Sequence, residues 1–397
     1  MALIRENIRQ YGMVIALVAI AVFFQVMTGG VIFRPANITN LILQNSYILI
    51  LAVGMTLVIV TGRIDLSVGS IAALAGALSG VFIINMGWPV WLTILAVLAM
   101  GALCGAWQGF WIAYRGVPFF VVTLAGMLLF RGVTMILLDG RMIGPFPTSF
   151  QMMAAGFVPD WLGDGVGFNS TAVILATLIS LAFVAVEVRK RAASKKYGVD
   201  TLPIPFFVGK LALVVAAISL FGYWFGASNG IPNIMVLLGL LILLYSYMAN
   251  RTITGRHLYA TGGNPDTAQL SGIKVKRIVF WVYVNMGILG ALAGLVFTAR
   301  LNSAMPRAGT GFELQAIAAA FIGGASPYGG VGKVTGAIVG AMVVGIIGNG
   351  MSILGISVDI QQVVTGLVLL AAVILDVFVK SRAEKSGRPA LKAGGSQ

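Results

Sequence analysis

Few residues in this chain could do chemistry, and each can be set against what its chemistry requires. Gly329-Gly-Val-Gly-Lys333-Val-Thr335 has the outline of a phosphate-gripping loop. The full pattern, G-x-x-x-x-G-K-[ST], puts a glycine at 327 and a hydroxyl at 334. Pro327 and Val334 stand there instead, between apolar runs rather than between a strand and a soluble helix. Nucleotide chemistry is therefore expected on another chain, as ATP-Mg on a partner, with no cofactor and no metal on this one. The single histidine, His257, has neither an H-E-x-x-H nor a cysteine–histidine setting. The single cysteine, Cys104, lies in an apolar run and reads as a small buried hydrophobe. Asp65 and Glu313 sit near the ends of apolar runs and far apart in the sequence, so they form no paired-carboxylate motif. A membrane enzyme is disfavoured and no catalytic residue is assigned.

Arg131, in LLFRGVT, is the one clear ionisable group inside an apolar run. It stays charged and cannot shuttle protons, so it either hydrogen-bonds a polar solute or holds helices together through a carboxylate. Ion-driven carriers keep titratable groups near the membrane midplane. Their scarcity here points to an energy source outside the membrane.

The most hydrophilic stretch between two long apolar runs is 251–277, where six basic residues fall if His257 is counted. Gly262-Gly263 suggests a flexible turn. Asn264 suits an N-cap, Pro265 the first helical position, and Asp266 complements the helix N-terminus. Gly272 can close the helix in a left-handed conformation. The spacing predicts a short helix from Asn264 to Ser271, capped at both ends. Such a rigid element can transmit force, though the same residues also suit an ordinary amphipathic loop helix.

The elements that must position these residues are membrane spans. Hydrophobic residues make up 59% of the chain and charged ones 10%, with a mean hydropathy of +0.98. A soluble surface cannot be built from so few charges. Apolar runs near 13–33, 41–61, 66–86, 91–114, 118–138, 170–188, 206–226, 232–249, 278–299, 313–331, 334–352 and 356–379 approach the roughly 20 residues that a helical span needs. Uninterrupted runs such as YILILAVGMTLVIV exclude a β-barrel. The fold class is all-α, a polytopic membrane helix bundle of about 10–12 spans, forming one domain over 1–379. The charged tail 380–397 is expected to be disordered beyond its first turn.

With the N-terminus inside, all but five of the 26 basic residues fall on the cytoplasmic side, the exceptions being Arg34, Arg131, Arg141, Arg300 and Arg307. Asp139, Asp160, Asp164, Glu313 and Asp359 then fall on the outer side. The net charge of +14 thus reports topology rather than nucleic acid. The first apolar run is read as a retained span, because no cleavage site after small residues is evident. The outer loop 139–169 could serve as a short lid. The basic inner loop 189–205 reads as a connector drawn to anionic lipid. Gly101, Gly105 and Gly109 make a small-residue face suited to close helix packing, within the chain or in a dimer. Gly62-Arg-Ile-Asp65-Leu66 and Gly311-Phe-Glu313-Leu314 loosely echo one another.

Three segments carry a family resemblance. Thr61-Gly-Arg-Ile-Asp65-Leu-Ser67-Val-Gly69-Ser70 resembles the G-x-D-L-S-V-G-S signature of bacterial ABC importer permeases for monosaccharides. Gly255-Arg-His-Leu-Tyr-Ala-Thr-Gly-Gly263-Asn264, followed by Leu270-Ser-Gly272-Ile-Lys-Val, is similar to their coupling loop. Gly311-Phe-Glu313-Leu, through Gly324, is similar to a third signature. Val121-Val-Thr123 through Arg131-Gly132 looks most like xylose and multiple-monosaccharide permeases. Arg63 departs from the usual glycine, which leaves the role of Asp65 less defined.

The resemblance spans nearly the whole chain and implies a type II-like permease of the bacterial inner membrane with both termini cytoplasmic. It implies a second permease copy, periplasmic sugar-binding protein and cytoplasmic ABC ATPase subunits as partners. It also implies ATPase coupling through Gly263, Asn264, Pro265, Asp266, Ala268, Leu270, Ser271 and Gly272, with gating or pathway roles for Asp65, Ser67, Gly69, Ser70, Thr123, Arg131 and Glu313. Gln44, Asn45, Ser46, Thr56, Asn85 and Gln108 are further polar groups for a sugar path or for helix–helix bonds. The alternatives are a permease for another small polar solute (branched-chain amino acid, nucleoside, sugar-derived signal) and a self-sufficient carrier.

Overall fold

The computed structural model describes residues 2–161, 163, 168–198 and 203–386, with side chains from Gly12 to Ala371 outside those gaps. Asp164, residues 199–202 of the inner loop and the tail from 387 lie outside the described residues. In chain order the helices are α1 (Ala2–Met27), α2 (Pro35–Val60), α3 (Val68–Gly80, carried on to Asn85 by a π-helical turn), α4 (Val90–Ala113), α5 (Phe119–Leu138) and α6 (Thr148–Ala155). Next come α7 (Ser170–Lys196), α8 (Ile204–Gly226), α9 (Asn233–Arg251), α10 (Ile253–Gly263) and α11 (Pro265–Leu270). The last are α12 (Val275–Leu301), α13 (Phe312–Ile322), α14 (Val334–Ile353) and α15 (Val358–Ser386). The described residues contain no named strand.

Among the described residues, 9 helices are long and apolar enough to cross a membrane, and three more are apolar but shorter. Each of the twelve runs read from the sequence falls on one of these helices. The run at 313–331 differs most. Its helix, α13, has 11 residues, or about 16 Å at 1.5 Å per residue, roughly half a span. Hydropathy measures greasiness, not continuity, and the glycines from 323 to 332 take the rest of that run out of the helix.

Helices α2, α3 and α12 form the centre of the bundle, with 78%, 72% and 67% of their apolar windows buried, whereas no residue of the α8 window is buried. Lipid gives no hydrophobic incentive for helices to associate, so the centre is held by close backbone approach. The small-residue face on α4 does this work inside the chain. A Cβ on Gly101 would overlap Gly287 O, one on Gly105 would overlap Tyr283 O, and one on Gly109 would stand 2.9 Å from Phe280 O, all on α12. Gly294 lies in the same way against the Ala72 backbone of α3.

The chain direction sets up the site. Helix α2 ends at Val60 against Gly262, close to α11, and α12 starts from that same end of the bundle. The loop 61–67 follows α2 back into the bundle before α3 begins, and 302–311 does the same from the opposite end before α13 begins. The segment after α5 is stitched to the second of these loops. Ile143 and Ala304 exchange backbone hydrogen bonds of 3.1 and 2.9 Å, and Phe146 N donates to Asn302 Oδ1 at 2.7 Å.

Candidate functional site

The two loops meet inside the bundle, and most of the polar residues singled out from the sequence meet there with them. Asp65 Oδ1 accepts hydrogen bonds from Ser67 N (2.8 Å) and Ser67 Oγ (2.7 Å), and Ser67 Oγ accepts from Gln108 Nε2 at 2.5 Å. Asp65, Ser67, Ser70 and Gln108 have no solvent exposure. Gly69 lies directly against Gly309, where a Cβ would overlap both Gly309 O and Glu313 Oε2. Glu313, which charge counting put on the outer side, therefore reaches the start of α3. Counting treats each apolar run as a crossing, and a re-entrant loop violates that.

Arg131 joins the two loops. Its Nε donates to Ser70 Oγ on α3 at 3.4 Å and its Nη1 to Thr310 Oγ1 at 2.7 Å; Thr310 in turn donates to Arg307 O at 2.9 Å. Arg131 lies about 18 Å along α5 from its first residue, well inside the span. Helix α3 and the half-length α13 run away from the meeting point in opposite directions. Each carries a carboxylate at its N-terminal end, Asp65 just before α3 and Glu313 in the first turn of α13, where the helix dipole favours negative charge. Asp65 Oδ2, Gln108 Oε1 and Glu313 Oε2 are buried without a protein hydrogen-bond partner among the described residues. Thr123 is buried on α5 and donates only a long bond, 3.4 Å, to Phe120 O. One turn on, Gly126 leaves room for Gln108, whose Nε2 would be 2.7 Å from an added Cβ. This junction offers neutral hydroxyls, an amide, one fixed cation and spare acceptor oxygens, which suits weak contact with a polyhydroxy solute.

The second group of candidates lies at the α11 end. Asn264 Oδ1 caps α11 by accepting from Thr267 N at 2.9 Å, with Pro265 next and Asp266 in the first turn. Gly272 closes it at φ +84°, where Gly272 N reaches Gln269 O and Ile273 N reaches Ala268 O, each at 3.0 Å. Ser271 Oγ donates to Thr267 O at 2.9 Å. Ala268 is the buried side of this helix, while Leu270 is 90% exposed. Residues 253–263 form a helix of their own, with Thr252 Oγ1 accepting from Gly255 N. Gly262 and Gly263 are thus the last turn of α10 rather than a flexible turn. Gly262 is needed for contact, because a Cβ there would overlap Val60 O.

Sequence reasoning missed Thr310, Gly309 and the Gly262–Val60 contact. The left-handed glycines 309 and 311, at φ +73° and +80°, were the available signal for a re-entrant turn before α13.

Comparison with known proteins supplies the context. A family model described as "Branched-chain amino acid transport system / permease component" matches residues 37–373. The xylose transport system permease protein of Escherichia coli K12 is 40% identical over 377 residues, covering 95% of this chain and 93% of its own. Its counterpart in Haemophilus influenzae Rd is 38% identical over 376 residues, 95% of this chain and 98% of its own. The ribose import permease protein of E. coli K12 is 34% identical over 346 residues, 87% and 86%. No solved structure matches significantly.

Proposed function

The chain belongs to the branched-chain amino acid transport system / permease component family, and on that premise we propose that it is the membrane permease subunit of an ATP-binding-cassette importer carrying a monosaccharide, xylose or several sugars. It is a multi-pass membrane protein, here read as lying in the bacterial inner membrane with both termini and α11 on the cytoplasmic side, as its basic residues favour. The observation that carries the reading is α11: a helix capped at both ends, set at one end of the bundle, presenting an almost fully exposed Leu270. An apolar knob on a rigid stub suits a cleft in a soluble partner, and a cytoplasmic ATPase that binds ATP-Mg is that partner. Gly263, Asn264, Pro265, Asp266, Ala268, Leu270, Ser271 and Gly272 make up the docking element.

The sugar path is assigned to the junction of Asp65, Ser67, Gly69, Ser70, Arg131 and Glu313, with Thr123 beside it. Thr310, bonded to Arg131, is exposed. A charge at that depth is costly against lipid, so a second copy of the chain covers this face and the path runs between the copies. A periplasmic binding protein delivers the sugar, and nucleotide on the ATPase supplies the several kcal/mol that shift the bundle between its two states. The relatives named for xylose and ribose favour a sugar over the amino acid in the family's title.

Reconstitution tests this directly. The chain, with its ATPase and binding protein in liposomes, is expected to take up xylose or ribose only with ATP, and leucine not at all. Saturable sugar flux without the ATPase would overturn the reading in favour of a self-sufficient carrier.

A further inference from the structure

The glycines that mimic a phosphate loop lie where α10 meets the bundle. Gly330 N donates to Val60 O at 2.8 Å. A Cβ on Gly262 would overlap that same Val60 O and stand 2.7 Å from Gly330 N. One on Gly329 would be 2.6 Å from Gly262 O and 2.9 Å from Gly62 N, and one on Gly330 would be 2.9 Å from Gly263 Cα. Gly62, Gly329 and Gly330 are all left-handed, at φ +75°, +81° and +71°, so a side chain at any of them is strained as well as crowded. Tyr259, one turn before Gly263 on α10, donates from its hydroxyl to Gly332 O at 2.7 Å and ties the same loop to α10. Three separate segments therefore meet main chain to main chain, with the Tyr259 side chain bonded across one of the contacts.

Each segment leads somewhere. Forward from Gly263 the chain enters α11. Forward from Val60 it runs through 61–67 to Asp65, Ser67 and the start of α3. Backward from Gly330 it reaches Gly323 and α13, whose first turn holds Glu313. We propose that Gly262, Gly329 and Gly330, closed on Val60, are a main-chain joint that passes displacement of α11 to α3 and α13 at once, and that Tyr259 is the positioning residue that keeps it closed. Side chains absorb small displacements by changing rotamer, but a contact between backbones has none to change, so movement on one side must appear on the other. This rests on the importer reading above.

The test uses the complete reconstituted importer and measures sugar imported per ATP hydrolysed. Gly262→Ala is expected to lower that ratio about tenfold while ATP hydrolysis persists, within the usual range of coupling between sites. Tyr259→Phe removes one hydroxyl and no volume, so it inserts and folds as wild type, and its ratio is expected to fall about twofold to fivefold. Gly239→Ala, in α9, where an added methyl meets nothing within 4 Å, is expected to leave the ratio unchanged. If Gly262→Ala fails to insert, Tyr259→Phe decides. Import and hydrolysis falling in parallel at an unchanged ratio, or an unaffected Tyr259→Phe, would overturn the joint and leave the importer reading standing. A wild-type complex with no ATP-dependent uptake would overturn both.

Discussion

Arg131 is the residue on which the junction most visibly depends. Its two bonds go to hydroxyls on different segments, Ser70 and Thr310, and its field reaches Glu313. Removing it breaks the only described side-chain bridge between α3 and the loop before α13. Arg131→Met, which keeps the apolar stem, is expected to lower ATP-driven uptake about tenfold with insertion intact. Arg131→Lys is expected to rescue little, because a point charge cannot serve two directions as a guanidinium does. Uptake in proteoliposomes checks both. Arg131 itself was legible in the sequence, since a lone charge in an apolar run stands out. Its partner was not, because Thr310 lies 179 residues away in a segment that looked like an ordinary loop. A different residue, Asp160, holds the start of α7. Burial pushes the Asp160 carboxyl up, but hydrogen bonds from the Ser170 and Thr171 hydroxyls and backbone amides outweigh it and hold the pKa below the usual carboxylate range. A depressed carboxyl stabilises above its unfolded pKa, and that stability is lost as pH falls through the folded value. Amide exchange at Ser170 and Thr171, taken relative to the intrinsic rate at each pH, should therefore stay slow at neutral pH and quicken only below the ordinary carboxylate range. In Asp160→Asn it should be fast throughout; slow exchange at neutral pH in that variant would contradict this.

At the scale of elements, α11 combines local determinants that all agree. N-cap, proline at N1, first-turn acid and left-handed closing glycine each fall where isolated helix chemistry wants them, which is why this helix was legible to within a residue or two. Its preceding helix was not. Residues 253–263 contain three glycines and two threonines, poor helix formers that hold their shape through packing on Val60 and the 326–333 loop. The same division explains α13, since no local rule announces where a greasy run stops being helix. Because α11 is set by local chemistry, its surface can be changed without disturbing the bundle. Leu270→Ala is expected to weaken ATPase association about tenfold, as loss of an interface anchor does. Thermal stability should not change, since the side chain is 90% exposed. Asn264→Ala should cost the helix about 1 kcal/mol and reduce ATPase stimulation. Titrating detergent-solubilised permease with the ATPase separates the two effects, and unchanged affinity in Leu270→Ala would mean that the knob is not the anchor.

For the whole molecule the decisive feature is opposition. The return loop after α2 enters from the α11 end, the return loop after α12 enters from the other, and α3 and α13 depart in opposite directions from one contact, Gly69 on Gly309. The faint echo between Gly62–Leu66 and Gly311–Leu314 becomes intelligible here, since the two segments hold matching places in this opposed arrangement. Sequence alone could not give that weight, because a shared glycine, acid and leucine about 250 residues apart are within reach of chance. A path closed by two opposed re-entrant loops needs them to touch, and glycine at both positions allows backbone to meet backbone. Wedging them apart is then a test of where the barrier lies. Gly69→Ala would drive a methyl into Gly309 O and Glu313 Oε2, and the main-chain side of that contact cannot yield without separating the loops. Sugar-loaded liposomes bearing wild-type permease alone should hold their contents, and those bearing Gly69→Ala should leak about tenfold faster without nucleotide, a shift of roughly 1.4 kcal/mol in the barrier. If the variant inserts normally and its liposomes stay tight, the seal lies elsewhere in the bundle, and the Gly69–Gly309 contact serves packing alone.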